Sequence, residues 1–308
     1  MIYRTAAHEA IANAFKGHFH GYIPDDTSGR YQKPASLLLK ASGAVAQASL
    51  VGCEAPILNQ GQTGSCGGHG TTQAAYTALN AAGFSPLTVP SPRILYALAR
   101  IMQRTNASQG LADSGVMPSD LLTVLRQYGI KPMAPTVTPD GRYSDVWGPG
   151  DLIGLPLAQP NVNTEPDLLD LETSGLKLLT GEYRIDESDP TLAQQILASI
   201  NAKAPGGVGI FVDSAFMLWD PSTGPIKSIN LADPQGGGHW LALTYGYTTP
   251  AGVVVLGGPN SWGAEWPVTA GSGVPGSPYW KPGHWEVEAP GLQKALSDCL
   301  LFPVKVLS

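Results

Sequence analysis

The sequence is poor in charged residues and in cysteine, and it contains no long apolar run. Charged residues make up only 14% of the chain and apolar residues 43%, a balance that argues against a disordered protein. The net charge is −6 and the basic residues form no cluster. Because binding to nucleic acid needs clustered Lys and Arg, no nucleic-acid partner is expected. No apolar run reaches the roughly 18 residues of a membrane-spanning helix, so no membrane span is expected.

The N-terminal stretch MIYRTAAHEAIANAFKGHFHG lacks the features of a secretion signal. It has neither a basic start nor a continuous apolar core. The location expected from the sequence is therefore the cytoplasm or a phage particle.

Three cysteines, Cys53, Cys66 and Cys299, are too few for a disulfide framework. The preferred interpretation of Cys53 and Cys299 is two free thiols, although a disulfide between them stays open because spacing alone does not decide it. Cys66 and His69 lie one helical turn apart, but zinc needs three or four ligands and no CxxC, HExxH or HxxxH pattern is present. No metal and no cofactor are expected.

The order of predicted elements indicates an α+β protein, because helices come first and strands follow. Residues 1–48 are predicted to form a separate N-terminal segment, whose last part, ASLLLKASGAVAQASLV, has apolar spacing typical of a helix. Residues 49–308 form the main domain. Within it we predict a helical half at about 60–130, a Pro/Gly-rich insertion at about 131–185 and a β-rich half at about 186–308.

Four helices and four strands are predicted from local signals. Gly83 ends the first helix, Ser91-Pro92 begins the second, Gly129 ends the third, and Asp189-Pro190 precedes the fourth. The predicted strands are GGVGIFV, HWLALTYGYTT, GVVVLGG and HWEVEA.

The stretch LNQGQTGSCGGHGTTQAA, residues 58–75, has the composition of a functional loop. It matches neither GxxxxGK[ST] nor GxGxxG, so it does not predict a phosphate site. Cys66 lies where the glycine loop meets a helix, and the positive end of a helix stabilises a thiolate. Gln60 offers a side-chain N–H that could join the Cys66 backbone N–H in an oxyanion hole.

A thiolate nucleophile needs a base and the base needs an orienting group. His239 begins an apolar strand and Asn260 follows the next strand, so adjacent antiparallel strands could bring the two side chains together. Trp262 could then shield their contact from water. His69, by contrast, is interpreted as a helix residue without a catalytic role.

Three motifs, QGQTGSC, GGHWLALTYGY and PNSWGAEW, resemble those of papain-like (C1) cysteine peptidases and occur in the family's order. The QGQ-x-GSC form is most similar to the bacterial and phage branch, and the resemblance covers about Val51 to Pro290. It implies a papain-like fold, in which a helical subdomain packs against an antiparallel β-sheet or barrel subdomain with the active-site cleft between them.

The resemblance also implies roles for individual residues. Cys66 would be the nucleophile, His239 the acid and base, Asn260 the orienting group, and Gln60 the support for the oxyanion. A second set would contact the substrate, which is expected to be a protein or peptide: Gly67, Gly68, Ser114, Gly115, Gly238 and Trp262.

Two departures from the family pattern keep other interpretations open. Gly67-Gly68 replace the usual aromatic or Thr-Ala pair and would open the cleft, and Pro267 replaces a usual glycine. The alternatives are a catalytically silent structural or binding module, such as a virion protein, and an amidase or isopeptidase acting on cell-wall peptide. Residues 1–48 are interpreted as an arm over the cleft or a nearby surface, or as a short pro-like region. The sequence gives no expectation for the oligomeric state.

Overall fold

The structure is a computed structural model, and it describes residues 45–61, 63–84, 89–90, 92–102, 115–127, 183–267 and 273–302. The predictions for Ser91, Ser114 and Gly129 lie outside these residues, as do most of the N-terminal segment and of the insertion. The predicted domain boundaries therefore stay predictions.

Three helices form one side of the molecule, with the bounds α1 (Cys66–Ala81), α2 (Pro92–Met102) and α3 (Pro118–Gln127). As predicted, α1 ends just before Gly83, whose φ of +94° suits a residue without a side chain. The three helices share a buried core with part of the β-rich side, and its members include Leu79, Tyr96, Leu122, Trp240 and Phe302. No helix in the described part of the chain is long and apolar enough to cross a bilayer.

The other side contains eight strands and three further α-helices among the described residues. The helices are α4 (Leu192–Asn201), α5 (Ser214–Met217) and α6 (Ala289–Ala295). The strands are β1 (Gln47–Ser49), β2 (Tyr183–Arg184), β3 (Gly206–Val212), β4 (Gly237–Leu243), β5 (Tyr245–Thr248), β6 (Val254–Pro259), β7 (His284–Glu288) and β8 (Leu296–Leu301). They form two open antiparallel sheets of four strands each, in the orders β1-β5-β6-β7 and β2-β8-β3-β4.

The four predicted helices and the four predicted strand regions are confirmed, with two corrections. HWLALTYGYTT forms two strands in different sheets, because the chain crosses from β4 to β5 at Thr244. There the Thr244 N–H donates to Gly257 O at 3.1 Å and its carbonyl accepts from Leu50 N at 3.0 Å. The helical interpretation near residue 48 is wrong for Gln47–Ser49, which is a strand paired with β5.

Helix α1 and strand β4 approach closely enough to bring backbone and ring atoms into contact. A Cβ at Gly70 would lie 2.9 Å from Trp240 Cδ1 and 3.0 Å from its carbonyl oxygen. On the other side of the same ring, a Cβ at Gly207 would lie 2.6 Å from Trp240 Cε2. The glycines therefore make room for the indole between the helix and β3, and they fix the position of α1 on the sheet.

Both cysteines outside the helix start are free thiols. Cys299 is buried in β8, and burial raises the pKa of its thiol. Cys53 is partly exposed. The structure thus agrees with the preferred interpretation of two free thiols.

Two buried carboxylates, Glu54 and Glu286, lie on one face of β7. Glu286 and His284 belong to that strand, and their side chains point away from the apolar core. Glu54 lies 2.9 Å from His284 Nε2 and 2.8 Å from Lys281 Nζ. Burial would raise the pKa of Glu54, but the hydrogen bonds and charges of His284 and Lys281 outweigh it and lower that pKa. Glu54 therefore stays ionised inside the protein.

Glu286 is fully buried and has hydroxyl partners instead of cations. It accepts hydrogen bonds from Tyr247 Oη, at 2.9 Å, and from Ser277 Oγ. Burial raises the pKa of Glu286 from 4.5 to about 7, although these hydrogen bonds act in the opposite direction. The protonated form is thus favoured by folding.

The raised pKa of Glu286 predicts how the stability of the protein depends on pH. Because the pKa of Glu286 is higher in the folded protein, its contribution is complete below pH 4.5 and is lost as pH rises to about 7. The loss amounts to about 3 kcal/mol of unfolding free energy, and Glu286→Gln should remove it. Urea unfolding at pH 5 and pH 7.5 measures the effect, with the partly exposed Glu288→Gln on the same strand as control. An unchanged pH dependence in Glu286→Gln would contradict this account.

Candidate active site

Cys66 is the first residue of α1, and the loop before it is fixed by polar contacts. Thr63 Oγ1 lies 2.6 Å from Ser65 Oγ, and Ser65 is the N-cap residue of the helix. His69 turns back toward the same residue, with Nδ1 2.9 Å from the Ser65 carbonyl oxygen. The thiol-bearing residue is buried at the positive end of a 16-residue helix.

His239 and Asn260 meet through a direct hydrogen bond, with 2.9 Å between Nε2 and Oδ1. Asn260 Oδ1 also accepts from the Ser261 backbone N–H at 2.7 Å, and Asn260 N–H donates to Gly283 O at 2.8 Å. Because the amide oxygen is an acceptor, His239 Nε2 carries a hydrogen, and Nδ1 is the ring nitrogen that can take up a proton. Both side chains are fully buried.

The predicted route by which these two side chains meet is wrong in one respect. Strands β4 and β6 belong to different sheets and are not hydrogen-bonded neighbours. They nevertheless touch, because Gly258 has no side chain. A Cβ there would lie 3.0 Å from the Ala242 carbonyl carbon and 3.1 Å from Thr244 N. Close packing between the sheets thus replaces the expected strand pairing.

Trp262 covers the His239 ring. The two ring centroids are 4.6 Å apart and the planes are inclined by 24°, a stacked arrangement. Trp262 is itself held edge-on by Phe216, at 6.0 Å, and by Trp266, at 5.2 Å. This aromatic cover keeps water from the His239–Asn260 hydrogen bond and so strengthens it.

Gln60 is tied to the residue that follows Asn260. Its side-chain oxygen accepts from Ser261 Oγ at 2.5 Å, and its backbone N–H donates to Ser261 O at 2.8 Å. The amide nitrogen donates one hydrogen to Thr63 O at 2.7 Å. An amide carries two such hydrogens, so a second one remains for an external acceptor. Ser261 was not singled out from the sequence, although it lies inside the PNSWGAEW motif.

The glycines after Cys66 have a packing function. Both are buried. A Cβ at Gly67 would overlap Val116 and lie 3.0 Å from Leu121 Cδ1, whereas a Cβ at Gly68 would overlap the Pro92 carbonyl and lie 2.9 Å from Tyr96 Cβ. Their side-chain positions thus face α2, α3 and the segment before α3. The idea that they open the cleft has no support in these contacts, and their contact with substrate stays a prediction.

The other residues predicted to bind substrate are placed as follows. Gly115 has a φ of +81°, its N–H donates to Tyr96 Oη at 3.2 Å, and its carbonyl accepts from Arg100 at 2.7 Å. Gly238 lies in β4 opposite Phe211. Their role in binding stays a prediction. Across the described residues, no group of three or more His, Cys, Asp or Glu side chains is arranged to hold a metal ion.

The fold is similar to those of several cysteine proteases of known structure. Xylellain, a cysteine protease from Xylella fastidiosa, matches over the full length of both chains with 18% identity and a TM-score of 0.61. Procathepsin B S9 from Trypanosoma congolense matches 97% of this chain and 89% of its own, with 10% identity and a TM-score of 0.61. Digestive procathepsin L 3 of Tenebrio molitor larval midgut matches 98% of this chain and 80% of its own, with 16% identity and a TM-score of 0.56.

These similarities show that the chain has a papain-like fold. No protein-family model matches the sequence, and the search of curated proteins found no significant match. At 10–18% identity the comparisons establish the architecture. The chemistry has to be argued from the residues of the site.

The contacts of Gly68 predict a stability effect that is opposite to helix propensity. Alanine is the better helix former by about 1 kcal/mol, but a methyl group at Gly68 collides with the Pro92 backbone, which cannot rotate away. We expect Gly68→Ala to lower the unfolding free energy by about 1–3 kcal/mol, as overpacking of a core does. Gly52→Ala is the control, since nothing lies within 4 Å of the added methyl group. Equal unfolding midpoints of the two variants would contradict the packing role.

Proposed function

We propose that the protein is a cysteine peptidase that hydrolyses peptide bonds with Cys66 as nucleophile. The observation that supports this most is the buried hydrogen bond between His239 Nε2 and Asn260 Oδ1. His239 lies on β4, the strand against which the Cys66 helix packs. A histidine oriented by an asparagine and covered by an aromatic ring is suited to move protons to and from a nucleophile. The papain-like fold and its cysteine protease neighbours agree with this proposal.

In the proposed reaction Cys66 attacks the peptide carbonyl as a thiolate. The positive end of α1 favours the thiolate, and His239 accepts the thiol proton and passes it to the leaving amine. Asn260 keeps the imidazole in place during this transfer. The remaining Gln60 amide hydrogen and the Cys66 backbone N–H stabilise the developing oxyanion. Water activated by His239 then hydrolyses the acyl-enzyme.

Access to the site is part of the proposal. Cys66 and His239 are both 0% exposed, so a peptide can reach them only after a local rearrangement that exposes both side chains. The expected substrate is a protein or peptide. We also propose the bacterial and phage branch of the family, which the match to xylellain over the full length of both chains supports.

The proposal predicts the loss of both hydrolysis and labelling in active-site variants. Cys66→Ala removes the nucleophile and His239→Ala removes its base, so each should lower kcat/KM by about a thousandfold or more. The measurements are cleavage of a fluorogenic peptide library and labelling by a thiol-directed epoxide. Cys53→Ala is the matched control, because it removes a free and partly exposed thiol outside the site. Labelling that survives in Cys66→Ala would refute the assignment.

The peptide cleavage assay, together with digestion of peptidoglycan, separates the two alternative functions from the peptidase. A catalytically silent module predicts no cleavage of any peptide by the folded wild-type protein. A cell-wall amidase or isopeptidase predicts Cys66-dependent release of peptide from peptidoglycan, detected by mass spectrometry, with weak cleavage of linear peptides. Cleavage of linear peptides that exceeds peptidoglycan release supports the peptidase.

A further inference from the structure

Gln73 is a buried glutamine on α1 that the proposed reaction does not use. It follows Cys66 by seven residues, which is nearly two helical turns, so the two residues lie on the same side of the helix. Its side chain is 0% exposed, and its amide nitrogen lies 3.4 Å from the backbone carbonyl oxygen of Asn260. The helix that bears the nucleophile thus also contacts the group that orients His239.

The free hydrogen-bonding atoms of these two residues are complementary. Among the described residues, Gln73 Oε1 is a buried acceptor without a hydrogen-bond partner, and Asn260 Nδ2 is a buried donor without one. An unpaired buried polar atom costs free energy, and an apolar residue at position 73 would avoid that cost. A glutamine at this place is therefore best explained by a contact with Asn260.

The asparagine amide has two orientations that interchange its oxygen and its nitrogen. In the functional one, Oδ1 accepts from His239 Nε2 and from Ser261 N–H. In the reversed one, Nδ2 would face the N–H groups and repel them. An acceptor beside Nδ2 favours the functional orientation, and Gln73 Oε1 is the acceptor that the structure offers.

We propose that Gln73 is a positioning residue, whose carboxamide pairs with Asn260 and so keeps the Asn260 oxygen directed at His239. In the proposed pair the amide nitrogen holds the Asn260 carbonyl, as in the structure, and the amide oxygen accepts from Nδ2 once the two unpaired atoms approach each other. This inference rests on the proposed peptidase function, since it assigns a second support to the group that orients the base. Helix α1 would then have two roles, because it carries the nucleophile Cys66 and also holds Asn260, the residue that orients His239.

The expected consequences concern proton transfer and leave substrate binding unchanged. Gln73→Met keeps the volume of the side chain and removes both polar atoms. We expect kcat to fall about fivefold, the effect of losing one net hydrogen bond, with KM unchanged. Because the imidazolium of His239 loses part of its support, the alkaline limb of the pH profile should move to lower pH.

Alkylation of Cys66 by iodoacetamide, followed against pH, measures formation of the thiolate beside the His239 imidazolium without any turnover, and weaker support of the imidazolium should move this acidic limb to higher pH. Thr72→Val is the matched control, because Thr72 Oγ1 is also buried on α1 and has no hydrogen-bond partner in the part of the chain that the structure describes. Thr72 lies one residue away from Gln73, on another side of the helix. Thermal unfolding shows whether each variant folds. Gln73→Asn, which keeps the amide and shortens its reach, is the second variant if Gln73→Met is unfolded.

The outcomes are distinguishable. A lower kcat and a shifted alkylation limb in the Gln73 variant, with wild-type behaviour in Thr72→Val, support the positioning role. A wild-type pH profile in a folded Gln73 variant overturns it. If the wild-type protein cleaves no peptide, the proposed function fails, but the alkylation profiles still decide whether Gln73 supports His239.

Discussion

The structure depends on the close contact between helix α1 and strand β4. Gly70 allows the helix backbone to touch Trp240, and Gly207 makes room for the same indole from β3. Trp240 thereby joins the core of the helical side, while the preceding residue, His239, points to the opposite face of the strand. The contact fixes the helix start, with Cys66 one turn before Gly70, relative to the strand that carries His239.

A second set of contacts, made of hydrogen bonds, connects Asn260 to Gln60 through Ser261. Asn260 is fixed by Gly283 on one side and by the Ser261 backbone on the other, and Ser261 binds both the backbone and the side chain of Gln60. Asn260, which accepts from His239, and Gln60, which lies near the start of α1, are therefore joined in one hydrogen-bonded network. A displacement of this network would move both residues together, which couples the orientation of the His239 ring to the geometry near the Cys66 thiol.

The four main helices were predicted correctly because helix formation depends on local signals, whereas the roles of the individual site residues stay predictions. Capping residues and apolar spacing identify α1 to α4, and short motifs identify Cys66, His239 and Asn260. The crossing at Thr244 and the strand β8 were missed. They depend on which distant segments pair, and LSDCLL has polar residues where a buried strand usually has apolar ones. Gln73 was missed for the same reason, since only the fold reveals that it reaches Asn260.

The two buried carboxylates beside β7 have pKa values shifted in opposite directions, because their neighbouring groups differ. Glu54 has a lysine and a histidine beside it and stays charged, whereas Glu286 has only hydroxyl groups and takes up a proton near pH 7. Glu54 and Glu286 contact residues around β7, whereas His239 contacts Asn260 and Trp262. The link between them is structural. His284 lies opposite Pro259, the residue before Asn260, and Gly283 holds the Asn260 backbone. The contact of Glu54 with His284 thus anchors the end of β7 on which the orientation of the His239 ring depends.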